Sequence, residues 1–147
     1  MLPGVHRIAG PAAFVIILAF WCATASVELV GSAAAVVAVK QAIPWGLLVL
    51  VPALALTGAT GFAMARRSAD PLVQAKRRRM PVIAGIGVIV LVPSALYLAA
   101  AAGRDDFGAA FYAVQAVELV AGAINLTLMG RNIRDGLRLT GRLRARS

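Results

Sequence analysis

The sequence has one cysteine, Cys22, and one histidine, His6. A lone cysteine excludes a disulfide-stapled secreted scaffold. A lone imidazole excludes a His-based metal cage within one chain. Charge is scarce as well: 14% of residues are Asp, Glu, Lys or Arg, against about 25% in a soluble domain. Acids are scarcer than bases, six against 15. Period-2 alternation does not recur, which excludes an outer-membrane barrel. No Gly-rich phosphate loop follows a strand, and no Cys–His pair stands at useful spacing. A Ser–His–Asp set would need His6 to reach Asp135 or an acid at the far end of the molecule. Soluble-type catalysis has nothing to build on, and the reading leans away from an enzyme.

What is present is apolar. Hydrophobic residues make up 61% of the 147, against roughly 45–50% in soluble domains, and the mean hydropathy is +0.84. A soluble chain of this length could not bury so much apolar surface, and the long apolar runs exclude disorder. The chain is therefore expected to be an integral membrane protein. A crossing helix needs about 20 predominantly apolar residues. Four segments qualify, over 11–39, 44–65, 81–102 and 109–130. The expected fold is all-α: a polytopic four-transmembrane-helix bundle forming one domain over 1–147, with a basic tail over 131–147. Pro11, Pro44 and Pro81 open the first three segments, where a missing N–H costs nothing. Ala23-Thr24-Ala25 before Ser26 resembles a signal-peptide cleavage site. The apolar run continues past it to Val39, so this segment reads as a retained helix. The expected outer loops, 40–43 and 103–108, are short, and the middle loop over 66–80 is the longest.

The basic residues orient this bundle. Thirteen of 15 Lys and Arg fall at one end: Arg7, six in the middle loop and six in the tail. Lys40 and Arg104 are assigned to the other. The positive-inside rule then places both termini and the middle loop in the cytoplasm, at a bacterial inner membrane. The basic loop and tail would meet anionic lipid head groups. The same arginines explain the net charge of +9 without nucleic acid. In the tail, Arg131, Arg134, Arg138 and Arg142 share one helical face, opposite Ile133, Leu137, Leu139 and Leu143. That is the pattern of a helix lying on an anionic leaflet.

Two constellations carry chemistry. Glu28 and Glu118 each interrupt an apolar run. An ionised carboxylate at mid-bilayer costs roughly 2.5–3.5 kcal/mol on insertion scales, so each needs a partner, a proton or water. On the fourth helix Gln115, Glu118, Gly122 and Asn125 recur at spacings of three and four, hence on one face. On the first, Trp21, Thr24, Glu28, Gly31 and Ser32 form a similar stripe. Both stripes are expected to face the bundle interior with the glutamates close together. Pro52 and Pro93 are expected at about the depth of Glu118, each freeing a backbone carbonyl. The glycines of the second, third and fourth helices read mainly as tight packing. The second constellation gathers at the basic end: His6, Met64, Met80 and Met129. His plus Met is an axial pair for haem b, and the same atoms suit Cu(I).

Two family resemblances attach to these residues. Glu28-Leu29-Val30-Gly31-Ser32 resembles the Glu-x-x-Gly-Thr element of small multidrug resistance transporters, which also have four helices. That resemblance implies a glutamate exchanging protons for cationic substrates. His6, Thr57-Gly58 and Lys76 occupy places similar to those in four-helix proteins of the copper-resistance-D and HemJ type. That resemblance implies a haem-associated membrane protein. The chain as a whole looks like a bacterial four-helix inner-membrane protein.

Three functional readings follow. The leading one is a small transport or permeation protein in which Glu28 and Glu118, assisted by Asn125, Gln115, Thr24 and Ser32, handle a proton or cation. The second is a haem b or copper redox protein ligated by His6, Met64, Met80 and Met129. The third is an accessory subunit of a larger membrane complex. Four short helices are expected to enclose little volume, so a pathway would call for a homodimer.

Overall fold

The computed structural model describes residues 2–65, 70–139 and 141; the side chains of residues 2–7, 62, 64 and 65 lie outside that description. The described residues form five α-helices and one π-helical segment, without a strand among them: α1 (Leu2–Val30), α2 (Ala33–Ala65), α3 (Pro71–Gly85), the π segment (Ile86–Leu91), α4 (Val92–Ala102) and α5 (Ala109–Leu139). Four stretches are long and apolar enough to cross a membrane: Ile8–Val30, Ala33–Gly61, Pro71–Ala102 and Ala109–Leu139. The protein is an all-α four-helix bundle of a multi-pass membrane type.

The first turn is not where the hydropathy placed it. The apolar run over 11–39 is too long for one crossing, and the chain breaks at Gly31-Ser32. The Ser32 hydroxyl accepts a hydrogen bond from Ala35 N–H at 3.3 Å, the mark of a helix N-cap. Three alanines follow as strong helix formers. Lys40 and Pro44, expected in and just after an outer loop, therefore lie inside α2. Pro52 shifts with them. It stands 19 residues into α2, about 28 Å from the turn, well below Glu118.

The other boundaries extend in the same direction. Asp70 Oδ1 accepts from Leu72 N–H at 2.8 Å, Pro71 occupies the first helical position, and the basic run 76–79 continues the helix. Ten residues of the expected middle loop are thus helical. At the other terminus, Arg131 to Leu139 continue α5, so the first part of the basic tail belongs to the bundle. Thr140 and residues 142–147 of that tail are outside the described residues. The short turn over 103–108 stands as expected, with Asp105 in the left-handed region at φ 55°. That conformation is one Asp tolerates.

The helices form a square. α1 neighbours α2 and α5; the span built from α3, the π segment and α4 also neighbours α2 and α5; the diagonal pairs do not approach closely. Two apolar clusters hold it. One, near the turns, joins Val36, Leu98, Ala101, Ala102 and Phe111; the other joins Ala13, Ile17, Leu50 and Met129. The π segment precedes Pro93. Val92 N–H donates to Gly87 O, five residues back. This wider turn absorbs the bond pattern that a mid-helix proline disrupts.

Candidate functional site

The site is a chain of polar side chains crossing the apolar bundle. Lys40 projects from α2 and is fully buried, at 0% exposure. Its Nζ donates to Glu118 Oε2 at 2.7 Å. α2 and α5 lie on a diagonal of the square, and the long lysine side chain spans it. Gln115 Nε2 also donates to Glu118 Oε2, at 3.3 Å. Glu28, in the last turn of α1, lies within electrostatic range of both Lys40 and Glu118. The stripe on α5 is placed as its spacing required: Gln115, Gly122 and Asn125 are all buried.

The two glutamates lie within electrostatic range of one another, and Lys40, bonded to Glu118, lies within range of Glu28 as well. Lys40 was assigned to an outer loop because a charge beside an apolar run usually ends it. Its true position would have been legible from Gly31-Ser32, a helix stop followed by an N-cap. Of the other predicted site residues, Thr24 is buried in α1 and lines the same interior. Ser32 is exposed at the turn, where it caps α2 and does not join the cluster.

Among the described residues, three buried acceptor atoms have no hydrogen-bond partner: Glu28 Oε1, Gln115 Oε1 and Asn125 Oδ1. Buried acceptors of this kind call for a donor. Where space allows, water is the usual one.

Space does allow it beside Asn125. A cavity of about 1020 Å³ runs along the centre of the square from Thr24 and Glu118, past Gly122 and Asn125, to Lys76 and Asn132. One chain therefore encloses far more volume than expected of four short helices. Part of this space arises at glycines. Gly58 and Gly87 line it, and a Cβ added at either would meet nothing within 4 Å; the same holds at Gly85, outside the cavity wall, so none of the three packs tightly as expected. Gly122 does. A Cβ there would stand 2.7 Å from Trp21 Cδ1, and Trp21 Nε1 donates to Leu119 O at 2.9 Å. The indole thereby locks α1 onto the bare backbone of α5.

A second ion pair, also unforeseen, closes the basic end. Arg79 Nη1 of α3 meets Asp135 Oδ2 at 2.6 Å and Asn132 Oδ1 at 3.3 Å. Asp135 is 2% exposed. Arg134 Nε stands 3.8 Å from its other oxygen. Met80 and Met129 both line the cavity. His6 and Met64 lie in α1 and α2, with side chains outside the described residues. Among the described residues no group of three or more His, Cys, Asp or Glu could hold a metal ion. No family model, no curated protein and no solved structure matches the chain, so the site is read from its own residues.

Proposed function

We propose that this protein is a small proton-coupled transport protein of the bacterial inner membrane, with Glu28, Glu118 and Lys40 as its proton-exchanging group. The observation that carries the reading is the fully buried Lys40 paired with Glu118 while Glu28 keeps an unpartnered oxygen beside them. With all three ionised, the cluster holds one net negative charge. With one proton added, it is neutral. Intramembrane ionisable residues mark ion and proton pathways more often than they mark scaffolding. Lys40 favours a proton over a metal cation, since its buried ammonium beside the carboxylates would repel a second cation. The orphan oxygens of Gln115 and Asn125 extend along α5 toward the cavity, where water would complete the path.

Orientation belongs to the same proposal. With Lys40 buried in the bundle, Arg104 alone faces the turn end against 13 basic residues at the other. The positive-inside rule then puts both termini in the cytoplasm. A cysteine placed at Ser68 in a Cys22→Ser background should resist an impermeant external reagent, and labelling from outside would reverse the topology.

The functional test is proton flux into proteoliposomes under an imposed membrane potential, read with an internal pH dye. Wild type should acidify the lumen. Glu28→Gln, and Glu118→Gln combined with Lys40→Met so that no buried charge is left unpaired, should remain folded and lose that flux. Equal flux from wild type and both variants would overturn the reading.

A further inference from the structure

The two ends of the central cavity differ in charge. At the turn end Glu118 is already matched by Lys40. At the basic end stand Lys76 and Arg77, both in the cavity wall. Lys76 is half-buried and makes no ion pair among the described residues. Asp135, the acid nearest to hand, is engaged by Arg79 and Arg134. Lys76 lies against α5 where side chains are absent: a Cβ on Gly136 would stand 3.2 Å from its Nζ. Lys76 feels the charge of Asp135, but that one carboxylate is already bridged by Arg79 and Arg134, so with Arg77 beside it the basic end of the cavity keeps a net positive charge and is a place for an anion.

The rest of the cavity is unsuited to a free anion. Ile17, Leu47, Leu50, Leu54, Ile83 and Trp21 form its wall. It also opens sideways. Val51 of α2 and Val88 of the π segment both line it, yet they are 43% and 65% exposed. Both lie well inside their spans, so in a membrane this opening faces lipid tails. Its volume of about 1020 Å³ stands at the top of the range of roughly 300–1,000 Å³ that accommodates a single small ligand.

The geometry points to a binding site for a bilayer amphiphile with an anionic phosphate or carboxylate head and one apolar chain. The head is held by Lys76 and Arg77. The chain enters between α2 and the π segment and lies along the cavity toward Trp21. The site shares its cavity with the water path proposed past Asn125, so a bound chain displaces that water; binding itself needs neither Glu28 nor Glu118.

Trp21 supplies the readout, because its indole lines the cavity, whereas Trp45, the other of the two tryptophans, is 72% exposed on α2. A Trp45→Phe variant in phosphatidylcholine vesicles is titrated with a monoalkyl phosphate whose chain is dibrominated. Quenching of Trp21 should be saturable. The carboxylate of the same chain should quench likewise, and the alkylammonium of that chain should not. Lys76→Gln with Arg77→Gln should weaken the apparent affinity about tenfold or more, as expected for loss of hydrogen bonds to a charged group. Gly58→Leu, which adds a side chain into open space, should abolish saturable quenching while the bundle stays folded. Equal quenching by the phosphate, the ammonium and dibrominated phosphatidylcholine would overturn the proposal, since it would reflect lipid access alone. So would unchanged affinity in the Lys76/Arg77 variant, or relief of quenching by inorganic phosphate without displacement of the chain by Gly58→Leu.

Discussion

α3 and α4 belong to one membrane span, yet they are built differently. Of the 11 residues of α4, six are buried: Ser94, Ala95, Leu98, Ala99, Ala101 and Ala102. Of the 15 residues of α3, none is. The π segment lies between them and marks the border between a closed half of the bundle and an open one. In the closed half, small side chains meet complementary neighbours: Gln41 Nε2 donates to Ala99 O at 2.7 Å, and Leu98 packs against Val36 and Phe111. In the open half, small residues such as Gly58 and Gly87 face empty space. A small residue therefore tightens a membrane bundle only where an opposing backbone or ring arrives to fill the room it leaves. Where none arrives, the same residue makes a cavity.

The largest blow to the closed half should come from Lys40→Met. Glu118 would be left buried without its cation, and breaking a buried pair from one side costs about 3–5 kcal/mol. The double variant Lys40→Met/Glu118→Leu should recover most of that loss in thermal unfolding in detergent. Failure of the double variant to recover would mean that the lysine's packing, not the pair, holds α2 to α5.

Leu98→Ala should follow, toward the low end of about 2–5 kcal/mol, because lipid replaces the transfer contribution but not the close packing. Its counterpart in the open half, Val88→Ala, should stay within about 0.5 kcal/mol. Similar losses at both positions would erase the distinction between the halves.

The finest test is a pair of glycines. Gly122→Ala should destabilise by about 1–3 kcal/mol, since its methyl group collides with Trp21. Gly58→Ala should stabilise by up to about 1 kcal/mol, the gain in helix propensity with no clash to oppose it. Opposite signs would set the two halves further apart, and like signs would remove the difference between them.

Much of this architecture was legible in the residues. The four spans follow from hydropathy, and the α5 stripe of Gln115, Gly122 and Asn125 followed from its spacing alone, because a 3.6-residue period fixes which positions share a face. The ends of the helices were not legible by the same means. A window tuned to the apolar core of a bilayer ends each helix where hydropathy falls. The backbone continues instead while propensity and caps allow, as at Asp70-Pro71 and through Arg131. The 29-residue apolar run contained its own correction in Gly31-Ser32, since one crossing needs only about 20 residues.

The residues alone mark four stretches long and apolar enough to cross a membrane, with two glutamates inside them. Composition and period suffice for that, because both are local properties. Which charge meets which emerges only on assembly. Lys40 and Glu118 are 78 residues apart, and Arg79 and Asp135 are 56 apart. Each pairing depends on the rotation and depth of two helices, which packing sets and no single segment encodes. The cavity has the same origin: every glycine in its wall is visible in the chain, and whether a neighbour fills the space beside it is decided only when the helices assemble.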